Sequence, residues 1–205
     1  MVSDKYDDKT CFEKIRGYAE KNLSKARYEH SFRVAETAEK MCRLYGIDEN
    51  LGKIAGIAHD ICKEISDDEM ISLAKKDGNP IEGLEAKKTS LLHGRAAAVK
   101  IQSEFGIHNK DVIEAVANHT FGKANCCDLA KIVFAADKIE PGRPQSTDEY
   151  RKNLFGKTLD GLVISVLEEN IEYLEKKGKK IAPASFEWLK QLKKDNGGKT
   201  ENLKN

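Results

Sequence analysis

The amino-acid sequence predicts an all-α, compact single domain. Three observations carry that expectation. Apolar residues recur at helical spacing through nearly the whole chain. No window shows sustained period-two alternation flanked by hairpin turns, so no sheet is expected. A length of 205 residues suits one continuous core, and two full domains would be tight.

The elements follow in order. Thr10-x-x-Glu13 reads as a capping box that opens a first helix. That helix belongs to an N-terminal segment, 1–22, packed on the core. A second helix is expected from about Ser24 to Tyr45, with His30, Val34, Ala38, Met41 and Tyr45 on one face. Gly46 terminates it. Asp48 to Ile61 repeats the pattern with Leu51, Ile54, Ala55 and Ala58 inside. Ser66-x-x-Glu69 caps a short helix that stops before Gly78-Asn79-Pro80. Leu92 to Phe105, Asn109 to His119 and Asp128 to Asp137 give three more, and Thr158 to Lys176 another. A last helix follows Pro183, a favoured first-turn residue. The main domain therefore spans 23–192, and 193–205 reads as a polar, frayed tail. No internal repeat occurs at solenoid periods.

Composition narrows the function classes. Hydrophobic residues make up 40% and charged residues 34%, as in a globular chain with a well-solvated surface. With 35 basic and 34 acidic residues the net charge is +1, which gives no overall electrostatic reason for a nucleic-acid partner. A local basic pocket for a phosphate-bearing small molecule is compatible with that balance. Met1 to Lys9 is polar, with no apolar signal segment behind it. No window approaches the roughly 20 apolar residues of a membrane span. The cysteines Cys11, Cys42, Cys62, Cys126 and Cys127 are odd in number and form no CxxC. They read as reduced thiols, and the compartment expected is the cytoplasm.

Four of the five histidines sit where surface histidines would not. His30 shares the apolar face of its helix. His59-Asp60 ends the apolar run Ile57-Ala58, His93 follows Leu91-Leu92, and His119 ends a helix carrying Val112, Ile113, Ala115 and Val116. Asp137 closes Ile132-Val133-Phe134-Ala135-Ala136, where an unpaired carboxylate would be costly to bury. Any one of these histidines alone reads best as a core imidazole with a satisfied hydrogen bond. Six such residues at the core ends of different helices suit a bundle-core metal site. Adjacent helical residues diverge by about 100°, so His59 can face one metal while Asp60 bridges toward a second.

The series H…HD…D formed by His30, His59-Asp60 and Asp137 resembles the HD-domain metal-dependent phosphohydrolase superfamily. The motifs Arg27-x-x-His30-Ser31-x-x-Val34-Ala35, His59-Asp60-x-x-Lys63, Leu91-Leu92-His93-Gly94, His119-Thr120-x-Gly122 and Ala136-Asp137-x-Ile139-Glu140-Pro141-x-Arg143 together resemble its YqeK subfamily. They run in matching order from Arg27 to Arg143. The resemblance implies an HD-domain helical bundle and symmetrical hydrolysis of diadenosine tetraphosphate to two ADP. It implies one metal held by His30, His59, Asp60 and Asp137, and a second reached through Asp60 and held by His93 and His119. Iron is the metal implied, as two ions, ferrous in this reading. Manganese and cobalt are substitutes that imidazole and carboxylate ligands also suit. A homodimer and ADP or GDP as product-like ligands follow from the same resemblance.

Two metals about 3.5–4 Å apart can clamp a phosphate and acidify a water for in-line attack. Asp60, Lys63 and His93 are the expected catalytic residues, with Lys63 neutralising charge on the phosphate oxygens. Arg27 and Arg143 are candidates for gripping phosphates. His93, His119, Thr120 and Gly122 complete the expected substrate contacts. Plainer readings stand beside these. Lys63 and Arg143 could be solvated charges, and Arg27 could pair with Glu29 or Glu20. Glu140 reads equally as a partner behind a ligand histidine or as a loop carboxylate. His108 lies in a polar loop and is left out; Trp188 reads as core. Alternative functions are hydrolysis of another nucleotide, dioxygen chemistry at the same ligands, and non-catalytic nucleotide sensing.

Overall fold

The computed structural model describes residues 8–201, and within them the chain is built from eleven α-helices, two short 3-10 turns and no strand. The helices are α1 (Asp8–Asn22), α2 (Lys25–Tyr45), α3 (Glu49–Ala58), α4 (Asp67–Ala74), α5 (Gly83–Lys87) and α6 (His93–Phe105). They continue with α7 (Lys110–Asn118), α8 (Asp128–Ile139), α9 (Asp148–Phe155), α10 (Leu159–Lys176) and α11 (Pro183–Glu201). The all-α expectation holds.

The pairing of α2 with α3 sets the frame. Gly46 takes the left-handed conformation, φ 73°, that ends α2, and Asp48 caps α3 by accepting from the Asn50 amide. Gly52 and Gly56 then let α3 lie on the backbone of α2. A Cβ at Gly52 would fall 2.9 Å from the Ala38 carbonyl oxygen, and one at Gly56 2.5 Å from the Ala35 Cα. Ser24, just before α2, donates its hydroxyl and its amide to Glu64 at 2.8 and 2.6 Å. That second tie fixes the turn following α3 against the start of α2.

Helix α8 is the hydrophobic spine. Leu129, Ala130, Ile132, Val133, Phe134, Ala135, Ala136 and Ile139 are all buried, because α2, α7 and α10 cover it from different sides. Helix α1 closes another side with Phe12, Ile15 and Ala19 buried against α3 and its neighbours. Trp188 of α11 is 1% exposed and packs edge-on against Phe134, in the core as its sequence context suggests.

Several boundaries differ from expectation. Thr10 lies inside α1, which already starts at Asp8, so Thr10-x-x-Glu13 does not cap that helix. Helix α3 stops at Ala58, three residues short of Ile61, and α7 at Asn118, one residue short of His119. Helix α9 was not anticipated: in its sequence only Leu154 is buried, and its signal is the Thr147 cap on the Tyr150 amide. Helix α11 continues past Lys193 to Glu201, with Lys193 paired to Glu168 of α10 at 2.6 Å. Residues 1–7 and 202–205, the outer parts of the N-terminal segment and of the expected frayed tail, lie outside the described residues.

Candidate metal centre

Four buried imidazoles converge, and each commits the same ring nitrogen to a partner behind it. His59 Nδ1 lies 2.7 Å from the Gly56 carbonyl, His119 Nδ1 2.8 Å from that of Val116, and His93 Nδ1 2.7 Å from that of Ser90. The first two acceptors sit in the last turns of α3 and α7, where backbone carbonyls lack helical partners. His30 Nδ1 lies 3.1 Å from Glu140 Oε1 instead. A neutral imidazole has one N–H, so giving it up at Nδ1 leaves the Nε2 lone pair as a ligand.

All four Nε2 atoms face two carboxylates. Asp60 Oδ2 lies 3.8 Å from His30 Nε2 and 3.5 Å from His59 Nε2. Its other oxygen, Oδ1, lies 3.1 Å from His93 Nε2 and 3.7 Å from His119 Nε2. Asp137 Oδ1 joins the first group, at 3.1 Å from His30 and 3.7 Å from His59. The two oxygens of one buried carboxylate therefore face different pairs of histidines. Potential ligand atoms of His30, His59 and Asp60, of Asp60, His93 and His119, and of His59, His119 and Asp137 lie within 4.8 Å of one another, so His119 also reaches the first group.

The donor set fits divalent metal. His59 Nε2 and Asp60 Oδ1 are buried without a hydrogen-bond partner, which would be costly unless a cation satisfies them. His93 Nε2 and His119 Nε2 lie 2.9 Å apart, with both Nδ1 positions already committed to carbonyls. Two lone pairs facing each other call for a cation beside them. Imidazole and carboxylate without thiolate suit iron, manganese, cobalt, nickel or zinc.

Electrostatics hold Asp60, Asp137 and His119 in the forms a metal needs. Burial opposes ionisation of Asp60, but His59 and His93 outweigh it and hold the carboxyl well below its usual range. Burial likewise opposes Asp137, and Lys138, His30 and Arg143 hold it low. Burial, with His93 and His59, pushes His119 well below the ordinary imidazole value, keeping it neutral. For His30, burial is outweighed by Asp137 and Glu140, which raise its pKa.

Cations ring the cluster. Arg27 donates to Asp60 Oδ2 at 2.7 Å, and Arg143 to Asp137 Oδ1 at 2.6 Å. Lys63 Nζ lies 3.1 Å from His93 Nε2, and burial lowers its pKa. Thr120 Oγ1 lies 3.4 Å from His119 Nε2 and 3.5 Å from His93 Nε2.

Residues 27–142, more than half of the chain, match the HD domain. This chain belongs to the HD domain family. Among its relatives, the symmetrical bis(5'-nucleosyl)-tetraphosphatase of Halalkalibacterium halodurans is 34% identical, over 83% of this chain and 91% of that one. The protein of the same description from Staphylococcus aureus is 32% identical, over 80% and 86%. A crystal structure from Clostridium acetobutylicum, described as a predicted HD superfamily hydrolase involved in NAD metabolism, superposes with a TM-score of 0.82. It is 28% identical, with 90% of this chain and 97% of that chain covered.

Within this HD domain, the six expected metal ligands meet in one place, with Arg27, Lys63, Thr120 and Arg143 around them. Gly122 has another reason to be glycine. Its φ is +72°, and a Cβ there would fall 1.9 Å from Trp188 Cε3. His108 is exposed. Sequence reasoning missed Lys138, which donates to Asp137 Oδ2 and to the His119 carbonyl, both at 3.1 Å. It also missed Arg33, which grips Glu140. Arg33 meets a partner 107 residues away, and Lys138, although next to Asp137, occupies an unspecified position of its motif.

Proposed function

We propose that this chain is a metal-dependent phosphohydrolase that cuts dinucleoside tetraphosphates, diadenosine tetraphosphate foremost, symmetrically to two nucleoside diphosphates. The observation that carries this reading is the bifurcation at Asp60, one oxygen toward His30 and His59, the other toward His93 and His119. The names borne by the relatives point to the same substrate and cleavage position.

In this reading His30, His59, Asp60 and Asp137 hold one metal, and Asp60, His93 and His119 the other. Bound there, the pair would polarise a phosphoryl oxygen and acidify an attacking water. The chain's own residues do the rest. Arg27 and Arg143, held at carboxylates of the cluster, stand where a polyphosphate would meet it and grip non-bridging oxygens. Lys63, beside His93, offsets charge that develops on the phosphoryl group. Thr120 adds a hydroxyl donor at the His93–His119 side. Iron, as two ferrous ions, is the proposed native metal, with manganese and cobalt as replacements. The remaining proposals are a homodimer located in the cytoplasm, with no nucleic-acid partner; among the described residues no helix is long and apolar enough to cross a membrane.

The test is product analysis of diadenosine tetraphosphate after anaerobic loading with ferrous iron, beside a metal-stripped control. ADP as the sole metal-dependent product is expected. AMP with ATP would overturn the symmetrical cleavage, and binding without turnover would favour a nucleotide sensor.

A further inference from the structure

Three of the four converging histidines lean on neutral backbone carbonyls; His30 alone leans on a carboxylate. That carboxylate is Glu140, which is 1% exposed and fully engaged. Its Oε1 meets His30 Nδ1 at 3.1 Å. Its Oε2 accepts from Arg33 Nε at 2.6 Å and from the Gly142 amide at 2.5 Å. Arg33 Nη2 returns to Oε1 at 3.3 Å, so the guanidinium spans both oxygens. A charge buried this deeply needs such partners, and a loop carboxylate would not collect them.

We propose that Glu140 is the positioning residue for His30, fixing the ring with Nδ1–H toward Oε1 so that Nε2 is presented to the metal, and that Arg33 and Gly142 hold Glu140 in register. The inference rests on the metal-centre reading above and adds the origin of one ligand's orientation. The assembly joins two distant parts of the chain, since Arg33 is one helical turn beyond His30 on α2 and Glu140 follows α8. A carboxylate behind an imidazole also makes its other nitrogen a better donor than a carbonyl does.

Gly142 supplies an independent handle. A Cβ there would fall 2.4 Å from Arg33 Nη2 and 2.6 Å from its Cζ, so a methyl group displaces the guanidinium without touching any ligand. Loss of a partner behind a metal-bound histidine typically weakens metal binding by about 10–100-fold.

The experiment is titration of the metal-stripped protein with cobalt(II), read by its visible absorption spectrum, for wild type, Glu140→Gln, Glu140→Ala and Gly142→Ala. Circular dichroism melts accompany each titration. Glu140→Ala is expected to weaken the tighter cobalt event by about 10–100-fold and to alter its absorption bands. Gly142→Ala should move both in the same direction. Glu140→Gln keeps an acceptor for Nδ1–H and should recover part of the affinity while Arg33 goes unpaired. Should Glu140→Ala not fold, the other two variants decide the matter. Wild-type affinity and spectrum in folded Glu140→Gln and Gly142→Ala, with His30→Ala impaired, would overturn the positioning role and leave the metal centre standing. A wild-type protein that takes up no cobalt would overturn the metal centre and this inference together.

Discussion

The Cβ that Gly56 lacks would fall 2.5 Å from the Cα of Ala35. That contact sets how closely α3 approaches α2, and so where His59, just past the end of α3, stands relative to His30. Their rings lie 5.2 Å apart, centroid to centroid. Gly56→Ala should therefore cost stability by forcing backbones apart, on the order of 1–3 kcal/mol for an overpacked core. It should also lower metal content in the protein that remains folded. Thermal melts and elemental analysis of the same preparation check both; wild-type metal content at a lowered melting temperature would uncouple the helix spacing from the site.

Asp60 turns one oxygen to His30 and His59 and the other to His93 and His119. Asp60→Ala should lose metal from both sides, because each then lacks its Asp60 oxygen. Activity should fall by more than about 100-fold, beyond what partners behind a ligand usually contribute. Far-ultraviolet circular dichroism should stay near wild type, since Asp60 lies in the turn after α3 rather than in the apolar spine. Retention of two metals per chain with full turnover would sink the two-metal assignment.

Lys63 and the arginines should separate kinetically. Lys63→Met is expected to lower kcat by about 10²–10³-fold, the range seen when a charge-stabilising donor is removed, with metal content unchanged. Arg27→Met and Arg143→Met should act more on KM, because in the proposed role they would grip phosphates in ground and transition state alike. Steady-state kinetics at saturating metal distinguish the two patterns, and an effect of Lys63→Met confined to KM would reassign it to binding.

A further prediction concerns acid stability away from the metal site. Burial opposes ionisation of Asp77, but Arg95 and the Asn79 amide outweigh it and hold the carboxyl below its usual 3.8. Arg95 donates to both Asp77 oxygens, to Glu85, and to the carbonyls of Asn79 and Pro80. A depressed folded-state pKa contributes stability that is present above about 3.8 and lost as pH falls through the lower value. Asp77→Asn should thus destabilise the protein near neutrality, by about 1.5–3 kcal/mol for a hydrogen bond to a charged group. It should also flatten the loss of stability below pH 4. Urea melts at pH 7 and pH 3 measure both, and parallel losses at the two values would refute the linkage.

Much of the site was legible because its residues break a simple rule: imidazoles and carboxylates placed among Ile, Val and Ala need a reason. His30, His59, Asp60, His93, His119 and Asp137 all showed that conflict in one dimension. What stayed hidden depends on approach in three. Gly52 and Gly56 look like weak points of a helix until α2 lies against them. Arg33, on the far side of Glu140 from His30, reads as one more surface charge until the chain returns 107 residues later. The N-cap of α1 was misread because Thr10 offers the right pattern two residues inside the helix.

Gly122 is where sequence motif and structure suggest different reasons for the same residue, and a substitution tells them apart. As part of His119-Thr120-x-Gly122 it reads as a place for substrate to approach backbone. In the fold it is buried at φ +72°, beneath Trp188, with its amide bonded to the Asn118 carbonyl at 2.8 Å. An alanine there meets both a left-handed backbone, which costs about 1–2 kcal/mol, and a methyl 1.9 Å from the indole. Overpacking adds about 1–3 kcal/mol. Gly122→Ala should therefore lower the melting temperature sharply, while the enzyme that stays folded keeps its KM for diadenosine tetraphosphate. Trp188→Phe, which shrinks the ring above, should recover part of that stability in the double variant even though it is itself destabilising. A raised KM with an unchanged melting temperature would return Gly122 to the substrate site; coupling between the two substitutions would fix it as the seat of Trp188.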